Sequence, residues 1–184
     1  MRTFIAIELP EGIKQGLAKV REQLKEGGAD AAWTRPEGIH LTLKFLGEVP
    51  ESKIPAIMSA LTEAVRGTGQ MRIEVAGAGA FPNVRNPRVL WIGVSGDLSA
   101  LGRLQTAVEG AMAKLGFDPE TRKFSPHLTL ARIKYPRPRD NWQKVLEGVR
   151  DVKLGGFEAD SVSLMKSELK PSGAVYTELG RVEL

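Results

Sequence analysis

Residues 39–46 read Ile-His-Leu-Thr-Leu-Lys-Phe-Leu, and residues 126–133 read Pro-His-Leu-Thr-Leu-Ala-Arg-Ile. The tetrapeptide His40-Leu41-Thr42-Leu43 returns unchanged as His127-Leu128-Thr129-Leu130, about half a chain later. The two copies hold the only 2 histidines of the protein. Residues 39–46 alternate strictly over their first seven positions, the pattern of a half-buried strand, and residues 126–133 predict another strand. Side chains i and i+2 share a strand face, so each copy sends its leucines into a core and offers an imidazole beside a hydroxyl on the other side.

Upstream of the first copy, residues 4–9 predict a buried strand stopped by Pro10. Ile13, Leu17, Val20 and Leu24 recur at helical spacing over residues 11–26, and Gly27-Gly28 ends the pattern. Residues 51–66 predict a helix, with Ser52 as N-cap and Pro55 in its first turn. Residues 71–80 and 88–95 predict two strands joined by a loop of turn formers. Residues 97–115 predict a helix with Leu98, Leu101, Leu104, Val108, Met112 and Leu115 on its buried face. The second copy follows, then a break at residues 135–139 and a short helix over 141–149. Residues 157–164 and 174–184 predict a strand pair around the Lys170-Pro-Ser-Gly turn.

The elements read βαβαββ in the first half and αβαββ in the second. The expected fold is therefore α+β and duplicated: a single domain over residues 1–184, with pseudo-repeats of about 1–96 and 97–184. Each of two lobes would be a mainly antiparallel sheet with two helices, and an active-site cleft would lie between them.

Composition narrows the classes. At 42% hydrophobic and 26% charged residues the 184-residue chain is globular, and a chain of this length buries about 70% of its unfolded surface without a staple. With no cysteine, a disulfide framework, a cysteine-ligated zinc, an iron–sulfur cluster and a thiol nucleophile are excluded. No apolar run approaches the roughly 18 residues of a membrane helix. The stretch 4–9 is short for a signal peptide and carries Glu8. A cytoplasmic protein with no membrane partner is expected. The net charge of +4 suits a phosphate-bearing partner but decides nothing alone.

A strand histidine is commonly just a hydrogen-bonded residue of a half-buried face. Two of them in duplicated context, each with a threonine, argue for chemistry. Imidazoles facing each other across a cleft suit phosphodiester cleavage: one neutral to take a proton, one protonated to give one. The threonine hydroxyls would donate to non-bridging oxygens as charge builds there. Two histidines are too few for a catalytic zinc, and no His-x-x-x-His or carboxylate cluster accompanies them, so neither metal nor cofactor is expected.

With their flanks, residues 40–47 (His-Leu-Thr-Leu-Lys-Phe-Leu-Gly) and 125–132 (Ser-Pro-His-Leu-Thr-Leu-Ala-Arg) resemble the paired motifs of the 2H phosphoesterases. The resemblance is nearest to the bacterial and archaeal RNA 2′,3′-cyclic phosphodiesterases, also labelled 2′-5′ RNA ligases. It runs over nearly the whole chain through Met-Arg-Thr-Phe-Ile-Ala-Ile at residues 1–7, Trp33, Phe81-Pro82-Asn83, Val89-Leu90-Trp91, Ser167, Pro171-Ser-Gly173 and Tyr176. It implies metal-independent opening of a terminal 2′,3′-cyclic phosphate on RNA, tRNA fragments included, to a 2′-phosphomonoester by a monomeric enzyme. His40 would protonate the leaving 3′ oxygen, His127 would activate water, and Thr42 and Thr129 would hold the phosphate. Reversible 2′-5′ joining of RNA ends is the same chemistry with a ribose hydroxyl in place of water. The chain has no Walker-type glycine loop, and none is needed.

Arg132 matches the phosphate-contacting arginine of that family, yet strict alternation places it on the face of Leu128 and Leu130. A twist or bulge near Ala131, or a reach around the strand end, would reconcile the two. Lys44 has the parity of His40 and Thr42, with a solvated strand lysine as the alternative. Phe81 and Tyr176 are candidates for stacking on a base, and core packing is the other use of Phe81. Arg85, Arg88, Lys134, Arg137 and Arg139 flank strand ends and would guide an RNA backbone, although such loops are commonly just solvated. Two further readings stay open: a phosphodiesterase for a small cyclic nucleotide, and an RNA-binding module without turnover. The second lacks a basic-aromatic strand of the RNP1 kind.

Overall fold

A computed structural model describes residues 1–26, 30–135, 137, 140–171 and 173–184. Gly27, Gly28, Arg139 and Ser172, read above as a helix stop, a loop cation and part of a turn, lie outside the described residues. The elements run β1 (Arg2–Ile7), α1 (Glu11–Glu26), β2 (Ala32–Trp33), β3 (Leu41–Glu48), α2 (Ile54–Val65), β4 (Met71–Phe81), β5 (Val89–Gly96), α3 (Leu98–Lys114), β6 (His127–Arg132), α4 (Trp142–Glu147), β7 (Lys153–Ala159), β8 (Ser161–Lys170) and β9 (Gly173–Glu183).

The strands form two sheets, ordered β3-β1-β8-β9 and β2-β6-β5-β4-β7, and every pairing between them is antiparallel. This is the α+β, two-lobed architecture expected from the duplicated pattern. The lobes do not follow the halves of the sequence, however. The trailing strands β8 and β9 complete the first sheet beside β1, while β4 sits in the second sheet with β5, β6 and β7.

One face of each sheet is closed by helices. Ile13, Leu17, Val20 and Leu24 of α1 share a buried core with Leu128, Leu130 and Phe157. On the first sheet, Ile57 and Leu61 of α2 and Leu101, Leu104, Val108 and Met112 of α3 meet Leu41, Leu43 and Leu46. The motif leucines of both copies therefore belong to one continuous core, and the opposite faces are left for the histidines and threonines. Where the sheets meet, β3 and β6 approach within 8 Å between Cα atoms.

Four local expectations are corrected. The stretch 157–164 is not one strand: β7 ends at Ala159 in the second sheet and β8 begins at Ser161 in the first. Apolar residues continue across the junction, Phe157 and Ala159 before it and Val162 and Leu164 after it, because both ends enter the shared core. Leu98 is exposed, since it opens α3 before the helix has turned onto its core face. Ser52 is not an N-cap; it lies in a 3-10 turn, Glu51–Lys53, that leads into α2 without a side-chain cap. Strand β2 was not expected from the sequence; it pairs Ala32 with Arg132 and Trp33 with Ala131.

Candidate active site

The backbone of each motif departs from a regular strand at the same residue. In β3, Lys44 pairs with Ile5 and Thr42 with Ala6, so Leu43 is skipped. In β6, Ala131 pairs with Leu90 and Thr129 with Trp91, so Leu130 is skipped. A bulge at the fourth motif position inverts the alternation that follows. Leu130 and Ala131 are consecutive buried residues, and Arg132 emerges exposed on the side of His127 and Thr129. The parity conflict at Arg132 is removed by that bulge. The carbonyl of Leu130 accepts a hydrogen bond from the Thr34 amide at 2.8 Å, which ties the segment leading to His40 onto the second motif.

The bulge in β3 has the opposite effect on Lys44. It turns inward, its side chain only 2% exposed, and donates to Glu109 Oε2 of α3 at 2.7 Å and to the Asp118 carbonyl at 2.9 Å. Lys44 therefore does not share the face of His40 and Thr42, nor is it solvated. Phe45 takes the place that Arg132 holds in the other motif. It is 61% exposed and lies 5.9 Å from the Phe4 ring. Sequence reasoning passed over Phe45 because strict alternation assigns it to the core.

His40 stands immediately before β3, boxed by aromatic rings. Phe4 meets it edge-on at 5.5 Å and Tyr176 at 5.1 Å, and these two rings are perpendicular at 5.7 Å. Phe4, Ala6 and Met165 form a small apolar cluster with Tyr176, separate from the main core. Gly38 is required nearby, because a Cβ there would run into the Tyr176 ring. The His40 side chain is only 3% exposed, and its Nε2 lies 2.8 Å from Glu8 Oε1. Glu8 Oε2 also accepts from Lys14 Nζ at 3.1 Å. Burial alone pushes the Glu8 carboxyl up; the hydrogen bond and charge of His40, then those of Lys14, outweigh it and hold it at about 2.

His127 is half-buried and differently held. Its Nδ1 lies 2.7 Å from the Ser125 carbonyl, and since a carbonyl only accepts, the proton sits on Nδ1 and Nε2 carries the lone pair. Phe81 abuts this imidazole edge-on at 5.0 Å and tilts against Trp91 at 5.3 Å. Phe81 and Tyr176 thus each flank one histidine. Thr42 and Thr129 are both partly exposed on the motif strands.

The basic loops divide. Arg137 is engaged by Asp140 and approaches Asp30, and Arg88 donates to the Lys134 carbonyl. Arg85 borders a shallow hollow with Asn86 and Trp142. Among the described residues no three His, Asp or Glu side chains converge to hold a metal ion, and no helix is long and apolar enough to cross a membrane.

The chain matches the model of the LigT-like phosphoesterases twice in succession, over residues 7–91 and 92–176. Over 179 residues it is 37% identical to the RNA 2′,3′-cyclic phosphodiesterase of Methanothermobacter thermautotrophicus, covering 97% of this chain and 96% of that one. The Thermotoga maritima protein of the same name is also 37% identical, over 97% and 93% of the two chains. Among solved structures, the TT0787 protein of Thermus thermophilus superposes with a TM-score of 0.82 at 31% identity, covering 100% and 98% of the two chains. Escherichia coli LigT complexed with 3′-AMP superposes with a TM-score of 0.77 at 26% identity, over 100% and 97%.

Proposed function

The chain belongs to the LigT-like phosphoesterases, and from that premise we propose that it is an RNA 2′,3′-cyclic phosphodiesterase working by two-histidine acid–base catalysis without a metal. The observation that carries this reading is the unlike setting of the two motif histidines, one at the head of β3 and one opening β6. His127 has a lone pair on Nε2, because Nδ1 is committed to the Ser125 carbonyl. His40 has Nε2 committed to a carboxylate, leaving Nδ1 as the nitrogen that exchanges a proton.

Ring opening then runs as an in-line displacement. Water attacks phosphorus while His127 Nε2 removes its proton. The bond from phosphorus to the 3′ oxygen breaks, and His40 Nδ1 delivers a proton to that oxygen. The products are a 2′-phosphomonoester and a free 3′-hydroxyl, and the histidines reset by exchanging their protons with solvent. Thr42 and Thr129 donate to the non-bridging oxygens, where charge accumulates. Arg132, returned to this face by its bulge, meets the phosphate with a planar guanidinium. Phe81, Tyr176 and exposed Phe45 supply aromatic surface for unstacked bases. With the 5′-hydroxyl of a second RNA end replacing water, the same steps join RNA ends through a 2′-5′ linkage. The reading is of one domain over residues 1–184, acting as a cytoplasmic monomer on cyclic-phosphate RNA ends, those of tRNA fragments included.

The test is hydrolysis of a short RNA ending in a 2′,3′-cyclic phosphate, in the presence of EDTA, beside a cyclic mononucleotide. Complete conversion of the RNA to its 2′-phosphate is the expected result. Turnover of the mononucleotide alone would move the assignment to small cyclic nucleotides, and loss of activity in EDTA would overturn the metal-free mechanism. In the same assay Arg132→Ala is expected to lower kcat/KM by about 10- to 100-fold, the worth of a charge-assisted contact. Arg132→Lys should restore only part, because a point charge does not replace the planar fork. An unchanged kcat/KM in both variants would remove Arg132 from the phosphate.

A further inference from the structure

The register of the two motif strands superposes the lobes residue by residue. In the first lobe Thr42 pairs with Ala6 and Leu41 with Ile7, so the next pair is His40 with Glu8. In the second lobe Thr129 pairs with Trp91, Leu128 with Ile92, and His127 with Gly93. Glu8 and Gly93 are therefore the same position in the two lobes. One supplies a carboxylate to its histidine, and the other has no side chain. The second lobe has no room for one either: a Cβ at Gly93 would stand 2.5 Å from the Ala76 carbonyl oxygen.

We propose that Glu8 is a positioning residue that makes His40 the acid of the pair, by accepting a hydrogen bond from Nε2–H and leaving Nδ1 as the donor to the leaving oxygen. This rests on the two-histidine reading above and supplies what that reading needs, a physical difference between two imidazoles in repeated motifs. Three features fit the role. Glu8 Oε1 lies 2.8 Å from Nε2. Its other oxygen is anchored by Lys14 of α1, which restricts rotation of the carboxylate. Phe4 and Tyr176, side by side and both edge-on to the imidazole, restrict its rotation. The remaining charged groups that act on this corner are Glu178 and Arg181 of β9. They are paired with each other at 2.9 Å and so add little net field. A carboxylate that fixes the tautomer and angle of a catalytic imidazole is the second element of many catalytic triads, where its loss acts on turnover.

The experiment combines kinetics with side-chain nitrogen NMR on the full-length protein. In the wild type, two-bond proton–nitrogen correlations are expected to put the neutral-state proton of His40 on Nε2 and that of His127 on Nδ1. Glu8→Ala should release His40 to a mixed tautomer, lower kcat by about 100-fold and leave KM within about threefold. Glu8→Gln keeps an acceptor oxygen at the same place, so it should hold the tautomer and regain about tenfold of the lost kcat. The isosteric Gln variant keeps the test decisive if the alanine variant folds poorly. A wild-type His40 protonated on Nδ1, or a Glu8→Ala enzyme within twofold of wild-type kcat, overturns the assignment. A wild type that binds but does not cleave cyclic-phosphate RNA overturns the proposed function instead, while the tautomer spectra still decide the role of Glu8.

Discussion

Alanine at His127 or at His40 is expected to lower the single-turnover rate on a 2′,3′-cyclic phosphate RNA by about 10³-fold, within the range for losing a general acid or base. The two variants should nevertheless differ in stability. His127 is half-buried, and its removal frees one carbonyl and one edge of Phe81, so thermal unfolding should shift little. His40 is nearly sealed between Phe4, Tyr176 and Glu8. Its truncation leaves a gap and strips Glu8 of one of two partners, at a cost of about 2 kcal/mol. The double variant should be scarcely slower than either single one, since both groups act in the same displacement. Single-turnover rates in EDTA, read beside melting temperatures, check all three points. A single variant retaining more than about a tenth of wild-type rate while still folded would sink the two-histidine scheme.

Lys44 is expected to be the most costly single charge to remove from the fold. Lys44→Ala leaves the Glu109 carboxylate, itself only 17% exposed, without its counter-ion, and should destabilise the protein by about 3 kcal/mol. The paired change Lys44→Met with Glu109→Leu replaces the ion pair by apolar volume and should restore most of that loss. Urea unfolding with an unchanged m-value measures both. KM for the RNA and its salt dependence should not move, because the ammonium faces α3 rather than the cleft. A flatter salt dependence in Lys44→Ala would instead mark it as a phosphate contact.

Lys44 also shows how far the sequence could be read. The repeated His-x-Thr and its alternation were legible because a period of two is written in side-chain polarity. The bulges at Leu43 and Leu130 were not, since a bulge adds a residue that no polarity pattern announces, and each reverses the alternation directly after it, in β3 as far as a second register shift at Leu46. Arg132 therefore raised a conflict that the resemblance alone could flag, while Lys44 and Phe45 raised none and were placed on the wrong sides. The junction at Asp160 was hidden for a similar reason: two strands that enter one core from different sheets read as a single strand. Glu8 escaped notice because its partner is distant in sequence, and a glutamate after a strand is ordinarily solvent-facing. Helices α1 and α3 were plain throughout, their buried positions recurring at an unbroken helical period.

The exchange of strands between the lobes bears on how such a molecule can arise. A chain of half this length could not complete either sheet, since its motif strand and its trailing strands are destined for different ones. Two copies would close both sheets only by trading those strands across a twofold axis, as a swapped homodimer. In that dimer the two imidazoles would be identical by symmetry, and any carboxylate set beside one would sit beside the other. Fusing the copies into one polypeptide lifts that constraint. It lets mutation dress one position as Glu8 and the other as Gly93, so the division of labour between an acid and a base is a property that two identical copies cannot encode.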